Sequence, residues 1–326
     1  MNVLLSMGFW SFVMVMAGIY TIFALGLHLQ IGFTGIANFG HVAFMAIGAY
    51  VMAITVIRMD MPLWLASIVA VVTAMLVSVL LGLTTLKLRE EYMAISTLAF
   101  AEIIRYTSMN ATAVTGGVQG STNLLGPGET ARYNDGWQVF IAKVQDILGV
   151  VFGDLATRDF AMMVVIWIAA FALFALLQVL VKSPWGRSLK AIREDAESAM
   201  AMGKNVLSLR LQSMALGSAL GAIAGLFHAY QFSFFQPLDF ETLISFYAFI
   251  IIIMGGLGKN WGVPVGALIF GLIFGGTRLL NVWPLTTFSS AERAYLRFLI
   301  IGALLIWLVM RRPQGLFGKR EEMLLE

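Results

Sequence analysis

Nine apolar stretches, at residues 9–31, 42–57, 63–86, 92–106, 160–181, 211–230, 243–254, 263–280 and 296–310, leave this chain few ways to fold. In lipid there is no water to satisfy backbone N–H and C=O groups, so only helices and closed barrels cross a bilayer. Barrel strands alternate in polarity and carry no long apolar runs, which excludes them here. Composition agrees: 60% of the 326 residues are hydrophobic and 12% are charged, against roughly 25% charged in soluble domains. Several stretches fall short of the roughly 20 residues that a crossing helix needs, and must borrow flanking residues, tilt or stop part-way. The expected fold is all-α: a polytopic transmembrane helical bundle of about eight to ten spans, forming one domain over residues 1–326.

The chain has no cysteine, which removes disulfides, thiolate metal sites and cysteine nucleophiles together. Its first 57 residues hold no Lys, Arg, Asp or Glu. The basic region of a cleavable signal is therefore missing, and the first stretch is expected to stay in the protein. With nine spans and a cytoplasmic tail at 311–326, thirteen basic residues face the cytoplasm and eight the other side. Much of that eight sits in one long loop, which orientation rules discount. The segment 182–210 and the tail are thus expected in the cytoplasm and the N-terminus outside.

Residues 109–159, the largest polar excursion, are then a periplasmic loop. It contains the Gly-rich TGGVQGSTNLLGPG and holds Glu129, Asp135, Asp146, Asp154 and Asp159 against three bases. Within it Trp137, Phe140, Ile141, Val144, Leu148 and Val151 recur at helical spacing. They describe either an interfacial helix across the outer mouth or a helix packed on neighbouring spans. Gly217, Gly221 and Gly225 repeat every fourth residue, as do Gly258, Gly262 and Gly266, and Gly271 pairs with Gly275. Such faces let membrane helices approach closely. Gly-rich breaks also precede apolar helices in GFTGIANFGHVAFMAIGAY (32–50) and GGLGKNWGVPVGALIFGLI (255–273). Two related, pseudo-symmetric halves flanking a pathway would produce this pattern, and so would two ordinary re-entrant turns.

MGGLGKN at 254–260 lacks the first Gly and the final Ser or Thr of a phosphate loop, and Trp261 stands where a dinucleotide fingerprint needs Gly. His28, His41 and His228 share no ligand spacing, so packed histidines are expected and no metal. His41 heads the stretch after the first break, where a polar group is best placed to face a pathway. Glu102 and Arg105 lie three apart, on one helical face within a span. Ionisable groups at that depth are functional candidates because an unpaired charge there is costly. A self-satisfied pair reads more simply as a structural clamp. An ion carrier needs several acids at mid-depth, and the other stretches supply almost none.

Residues 182–210, KSPWGRSLKAIREDAESAMAMGKNVLSLR, are the one dense island of charge between long apolar runs. Pro184 resets the chain, and RSLKAIREDAESAMAM meets no helix breaker before Gly203, the residue type that most often ends a helix. A single helix of roughly 15 residues outside the membrane is expected. Its charges Lys190, Arg193, Glu194, Asp195 and Glu197 adjoin the small apolar set Ala196, Ala199, Met200, Ala201 and Met202. A charged rim beside a Met-rich, low-bulk centre suits a groove on another protein. A solvated loop with ordinary surface charge has the same spacing.

GRSLKAIREDAESAMAMGKNV resembles the cytoplasmic coupling segment of ABC-importer permeases of the branched-chain amino-acid type, G-R-x-x-x-A-I-R-E followed by acidic and alanine positions and G-x-N. In the same order, residues 32–50 resemble that family's Gly-rich signature with G-H-x-A-F-x-x-G-A-Y. LKLREEYMAISTLAFAEIIR at 86–105 resembles its L-R-x-x-Y-x-A-I-x-T-L-x-x-x-E-I-I-R. TGGVQG at 115–120 and GGLGKNWGVPVGA at 255–267 continue the series over most of the chain. Glu90 and Glu91 depart from the usual Gly-Asp, and Lys204 stands where the family often has an apolar residue; these departures bear on partner detail.

The resemblance implies an inner-membrane subunit that pairs with a second, homologous permease subunit, two cytoplasmic ATP-binding subunits and a periplasmic solute-binding protein. Its remaining contact is membrane lipid, with no nucleic acid. It implies no enzyme activity and no cofactor bound by this chain, ATP and Mg being used by the partner subunits. Glu194, Asp195, Glu197, Ala199 and Gly203, carried over with the coupling motif, would sit in the groove of an ATPase subunit and transmit its closure. Thr34, Asn38, Phe39 and His41 are expected to wall the passage between the two permease subunits. The expected cargo is leucine, isoleucine or valine, although the family also serves urea, amides, other amino acids and small carboxylates. The alternatives are an ion-coupled secondary transporter of small amino acids or amides, and a membrane-embedded enzyme, which needs a polar constellation that the sequence does not display.

Overall fold

A computed structural model describes residues 7–125, 133–256, 260–279 and 290–311. Gly258 and Lys259, Glu129 and Arg132, and the tail residues Arg312, Lys319 and Arg320 lie outside the described residues. The described residues form helices α1 (Met7–Thr34), α2 (Val42–Met59), α3 (Leu63–Thr85), α4 (Glu90–Asn110), α5 (Thr112–Thr115), α6 (Asp135–Phe152), α7 (Arg158–Lys182), α8 (Pro184–Glu194), α9 (Ala196–Ala201), α10 (Val206–Phe232), α11 (Leu243–Gly255), α12 (Gly262–Leu279) and α13 (Ser290–Arg311). Short 3-10 segments lie at Gly117–Asn123, Gly153–Leu155 and Pro237–Phe240.

Each of the nine apolar stretches falls on one of these helices. Six segments are long and apolar enough to cross a bilayer by length and composition: Met7–Thr34, Val42–Met59, Leu63–Thr85, Arg158–Lys182, Val206–Phe232 and Pro237–Gly255. Gly262–Gly275 is apolar but shorter. The protein is an all-α, multi-pass membrane protein.

The chain separates into two compact units. One comprises Leu25–Val139 and Ala175–Ala248; the other comprises residues up to Ala24, Phe140–Phe174 and residues from Phe249 on. In the first, α10 packs on α2 and α3 through small side chains. Membrane helices gain little from hydrophobicity against one another and rely on close van der Waals contact, which small residues permit. α3 turns Ala66, Ala70, Ala74, Ser78 and Gly82 inward, one every fourth residue, all buried. From the α10 side, a Cβ on Gly225 would lie 2.0 Å from the Met45 carbonyl oxygen of α2. Gly48 of α2 has the same relation to the Ala222 carbonyl, at 2.4 Å. The outer face of α3, by contrast, is exposed and aliphatic along most of its length, at Leu65, Ile68, Val72, Leu76, Leu80 and Leu83.

In the other unit the N-terminal half of α1 meets α12 and α7. A Cβ on Gly271 would lie 2.9 Å from the Ala17 Cβ, and one on Gly18 2.4 Å from the Ile166 Cγ2. The Trp167 indole N–H donates to the Met14 carbonyl at 2.9 Å. α11 and α12 close on each other at Gly255 and Gly262, where a Cβ on Gly262 would stand 2.3 Å from the Gly255 carbonyl oxygen. α6 begins in the first unit, where Trp137 stacks on Tyr230 with ring centroids 4.3 Å apart; in its later part Ile147, Val150 and Val151 are exposed.

One expectation fails. The single helix anticipated after Arg187 is two helices, α8 and α9, because the backbone at Asp195 is extended (φ −153°, ψ 105°). The Asp195 carboxylate accepts from the Glu197 and Ser198 N–H groups at 2.9 and 3.0 Å. A short acidic side chain competes in this way with the helix and starts a new one as its N-cap. Gly203 does end the charged stretch, at φ +79°.

Gly225→Val is expected to destabilise the protein by about 1–3 kcal/mol or more through overpacking against α2, lowering its unfolding temperature in detergent. Leu76→Ala, on the exposed face of α3, should leave that temperature unchanged.

Candidate functional site

Three elements of the first unit come together: the break between α1 and α2, the charged segment α8–α9, and α4. The last carbonyls of a helix have no partner within it. At the end of α1 these are taken up locally and from afar. Gly35, at φ +72°, turns the chain back so that the Ile36 N–H donates to the Gln30 carbonyl at 3.1 Å. The Arg193 guanidinium of α8 donates to the Gly32 carbonyl at 2.8 Å. Lys190 lies over the Phe33 ring, 5.6 Å from its centroid. Two cations at a helix C-terminus also match its partial negative charge.

The break itself is held by a buried polar network. The Asn38 amide donates to the Gln30 Oε1 at 3.0 Å, and its own carbonyl oxygen accepts from the Gly40 N–H at 3.0 Å. Gln30 Nε2 donates to the Met214 carbonyl of α10 at 3.3 Å. The Thr34 hydroxyl donates to the Gln30 carbonyl at 2.6 Å and lies 3.3 Å from the Ser213 hydroxyl. The Phe39 N–H donates to the Thr97 hydroxyl of α4 at 3.2 Å. A Cβ on Gly40 would stand 2.0 Å from the Thr97 carbonyl oxygen, so the break lies directly on the α4 backbone. The first N–H of α2, on Val42, donates to the Ser245 hydroxyl at 2.9 Å.

Of the four residues expected on a passage wall, Thr34, Asn38 and His41 are buried inside this unit. His41 packs against Phe44, with Gly26 and Gly221 leaving room for its ring. Phe39 is half-buried and its ring lies 5.4 Å from that of Phe246. Glu102 and Arg105 pair on α4: Nε and Nη2 of Arg105 donate to the Glu102 Oε2 at 3.0 and 2.6 Å. The other carboxylate oxygen of Glu102 accepts from the Thr242 hydroxyl at the start of α11. The pair therefore joins two elements.

In the charged segment, Ser183 caps α8 with Pro184 in its first turn, and Leu189 and Ile192 are buried. Glu194, Asp195, Glu197 and Gly203 are exposed, as are Met200 and Met202. Ala199 is turned inward onto Ile192 and Val206. The Ser198 hydroxyl, with the Ser198 and Glu197 N–H groups, holds the Asp195 carboxyl below its ordinary range. Arg193 is the residue that sequence spacing alone does not single out, because its acceptor lies 161 positions away. Its place before the acidic pair in AIRED is the only local signal. Among the described residues no group of His, Cys, Asp or Glu is arranged to hold a metal ion.

A polytopic helical bundle with a charged segment wired into one of its helix breaks is the architecture of a membrane transport subunit. A family model described as branched-chain amino acid transport system / permease component matches residues 9–309, and the chain belongs to that family. It is 28% identical to the high-affinity branched-chain amino acid transport system permease protein LivM of Escherichia coli K12, over 91% of this chain and 67% of the relative. It is 25% identical to the probable branched-chain amino acid transport permease protein LivM of Methanocaldococcus jannaschii, over 95% of this chain and 93% of the relative. Similarity extends to the permease protein LivH of Escherichia coli K12, 29% identical over 49% of this chain and 48% of the relative. No solved structure matches the chain. The protein is a permease component of an amino-acid transport system.

Asp195→Ala is expected to speed hydrogen exchange at the Glu197 and Ser198 amides, with Asp195→Asn intermediate. Because the folded carboxyl titrates below the unfolded one, the cap is fully present above the ordinary value of 3.8 and is lost as pH falls through the lowered folded value. Exchange protection measured across that range checks both.

Proposed function

We propose that this chain is one membrane-spanning subunit of an ATP-driven ABC importer of the inner membrane, carrying branched-chain amino acids or a related small polar solute. Its partners in this reading are a second, homologous permease subunit, two cytoplasmic subunits that use ATP and Mg, and a periplasmic solute-binding protein. The segment 182–210 and the C-terminal tail then face the cytoplasm, and the N-terminus faces outward. The chain itself carries out no bond chemistry.

One observation supports the reading above others: Arg193, beside the exposed acids Glu194 and Asp195, is bonded to the Gly32 carbonyl at the end of α1. A partner shifts a conformational equilibrium only through contacts that differ between its two states. ATP-dependent closure of the partner subunits supplies that difference at Glu194, Asp195, Glu197 and Gly203. Ala199, packed on Ile192 and Val206, ties α9 to α10. From Gly32 the displacement reaches the break, and from the break it reaches α4 at Thr97. The clamp of Glu102 with Arg105 and Thr242 carries it on to α11. Thr34, Asn38, Phe39 and His41 act here as the packing of a hinge beside the passage.

The complex isolated through this chain should retain the sibling permease and the ATP-binding subunits, and should take up leucine into liposomes only with ATP and the binding protein supplied. Uptake by the isolated chain under an ion gradient alone would overturn the importer and favour a secondary carrier. Within the complex, Arg193→Ala is expected to lower the solute-stimulated part of ATP hydrolysis about tenfold, the scale of one charge-assisted hydrogen bond. Arg193→Lys should recover part of it. Equal stimulation in all three proteins removes Arg193 from the route.

A further inference from the structure

α4 leaves a face of mixed polarity uncovered. Its 21 residues extend about 32 Å at 1.5 Å per residue, enough to match a hydrocarbon core of about 30 Å. It is nevertheless not among the six segments apolar enough to be recognised as spans. One face is pinned: Met93, Thr97, Ala101 and Ser108 are buried. The opposite face carries Tyr92, Ile95, Ala99, Ile103, Tyr106 and Asn110, in steps of three and four, all exposed. Near its C-terminal end this face opens on a cleft of about 520 Å³ lined by Glu102, Ile103, Tyr106, Thr107, Asn110 and Ala111.

Lipid is the wrong neighbour for such a surface. The Glu102 side chain is 31% exposed even while paired with Arg105, and a charge open to hydrocarbon is costly. The exposed face of α3 shows what this chain presents to lipid: six aliphatic side chains along its length, with Trp64 and Thr84 only at its two ends. α4 instead offers Tyr92 at one end and Tyr106, Thr107 and Asn110 at the other, with Ile95, Ala99 and Ile103 between them. The cleft is an open groove along one helix, the share of a passage wall that a single subunit would contribute.

The geometry points to this face of α4 as the side of the solute passage that the subunit contributes, with the cleft at Glu102–Ala111 as a stopping point. The ligand it fits is a small amino acid with an aliphatic side chain. Its charged head group is taken by Tyr106, Thr107 and Asn110, while its side chain slides on Ile95, Ala99 and Ile103. The inference rests on the importer reading and adds to it where the solute runs. The placement explains why the break presses on α4: motion arriving at Thr97, on the pinned face, moves the opposite face.

The absence of cysteine from the chain makes the test direct. Single variants Ile95→Cys, Ala99→Cys and Ile103→Cys on α4, and Leu76→Cys and Leu80→Cys on α3, are placed in the assembled complex in membrane vesicles. Each is exposed to a membrane-impermeant trimethylammonium methanethiosulfonate. All five side chains are exposed, so the bundle interior is left alone. The α4 cysteines are expected to react about tenfold faster than those on α3, which lipid shields. Excess leucine should slow the reaction at Ala99→Cys and Ile103→Cys, and modification there should block uptake. Reaction on α4 as slow as on α3 overturns the proposal, whether lipid or a dry subunit contact covers the face. Reaction that leucine does not slow overturns the stopping point. Labelling needs no turnover, so loss of ATP-driven uptake in the unmodified complex would refute the importer reading while leaving the aqueous face on record.

Discussion

The backbone-to-backbone approach of α10 to α2 is the contact from which the rest of the first unit follows. Gly225 against Met45 and Gly48 against Ala222 leave no space for a side chain. Between helices in lipid there is little hydrophobic gain, so stability comes from contact at this range and from the hydrogen bonds it permits. The alanine, serine and glycine stripe on α3 closes the third side of the same packing.

Because α10 sits so close, its Ser213 and Met214 reach the end of α1, and the broken backbone there can be buried. An unsatisfied buried amide or hydroxyl costs on the order of 1–3 kcal/mol. Gln30, Thr34 and Asn38 satisfy one another and the backbone around them. The break is thus held by hydrogen bonds within itself and to α10. Outward it bonds to Arg193 of α8, to Thr97 of α4, to Ser213 and Met214 of α10 and to Ser245 of α11.

The elbow at Asp195 decides which way the charged segment faces. A single straight helix would direct its exposed acids and its C-terminal end along one line. Two short helices joined at a capped aspartate return the chain onto α10, where Ala199 and Ile192 pack on Val206. The acids stay outside and the apolar residues inside.

Periodicity and composition made the helices legible: the nine apolar stretches fall on helices because each carries enough contiguous apolar surface, and the one proline among them, Pro264, stands in the first turn of α12, where it is tolerated. The glycine stripe on α10 was legible for the same reason, since spacing on one helix is local. Asp195 was misread because a lone aspartate is compatible with helix until its carboxylate finds the two amides ahead of it, a local competition that spacing does not reveal. The burial of Thr34, Asn38 and His41 was not legible either, since it depends on α10 arriving from about 180 residues away in sequence. The sequence by itself determined that this is a helical membrane protein, where its helices lie and which segment is charged. Tertiary structure alone decided which polar groups are spent on one another, that Arg193 bonds to α1, and that α4 keeps a polar face bare. Those are matters of contact between distant parts of the chain, and a hydrogen bond has no meaning until both of its ends are in place.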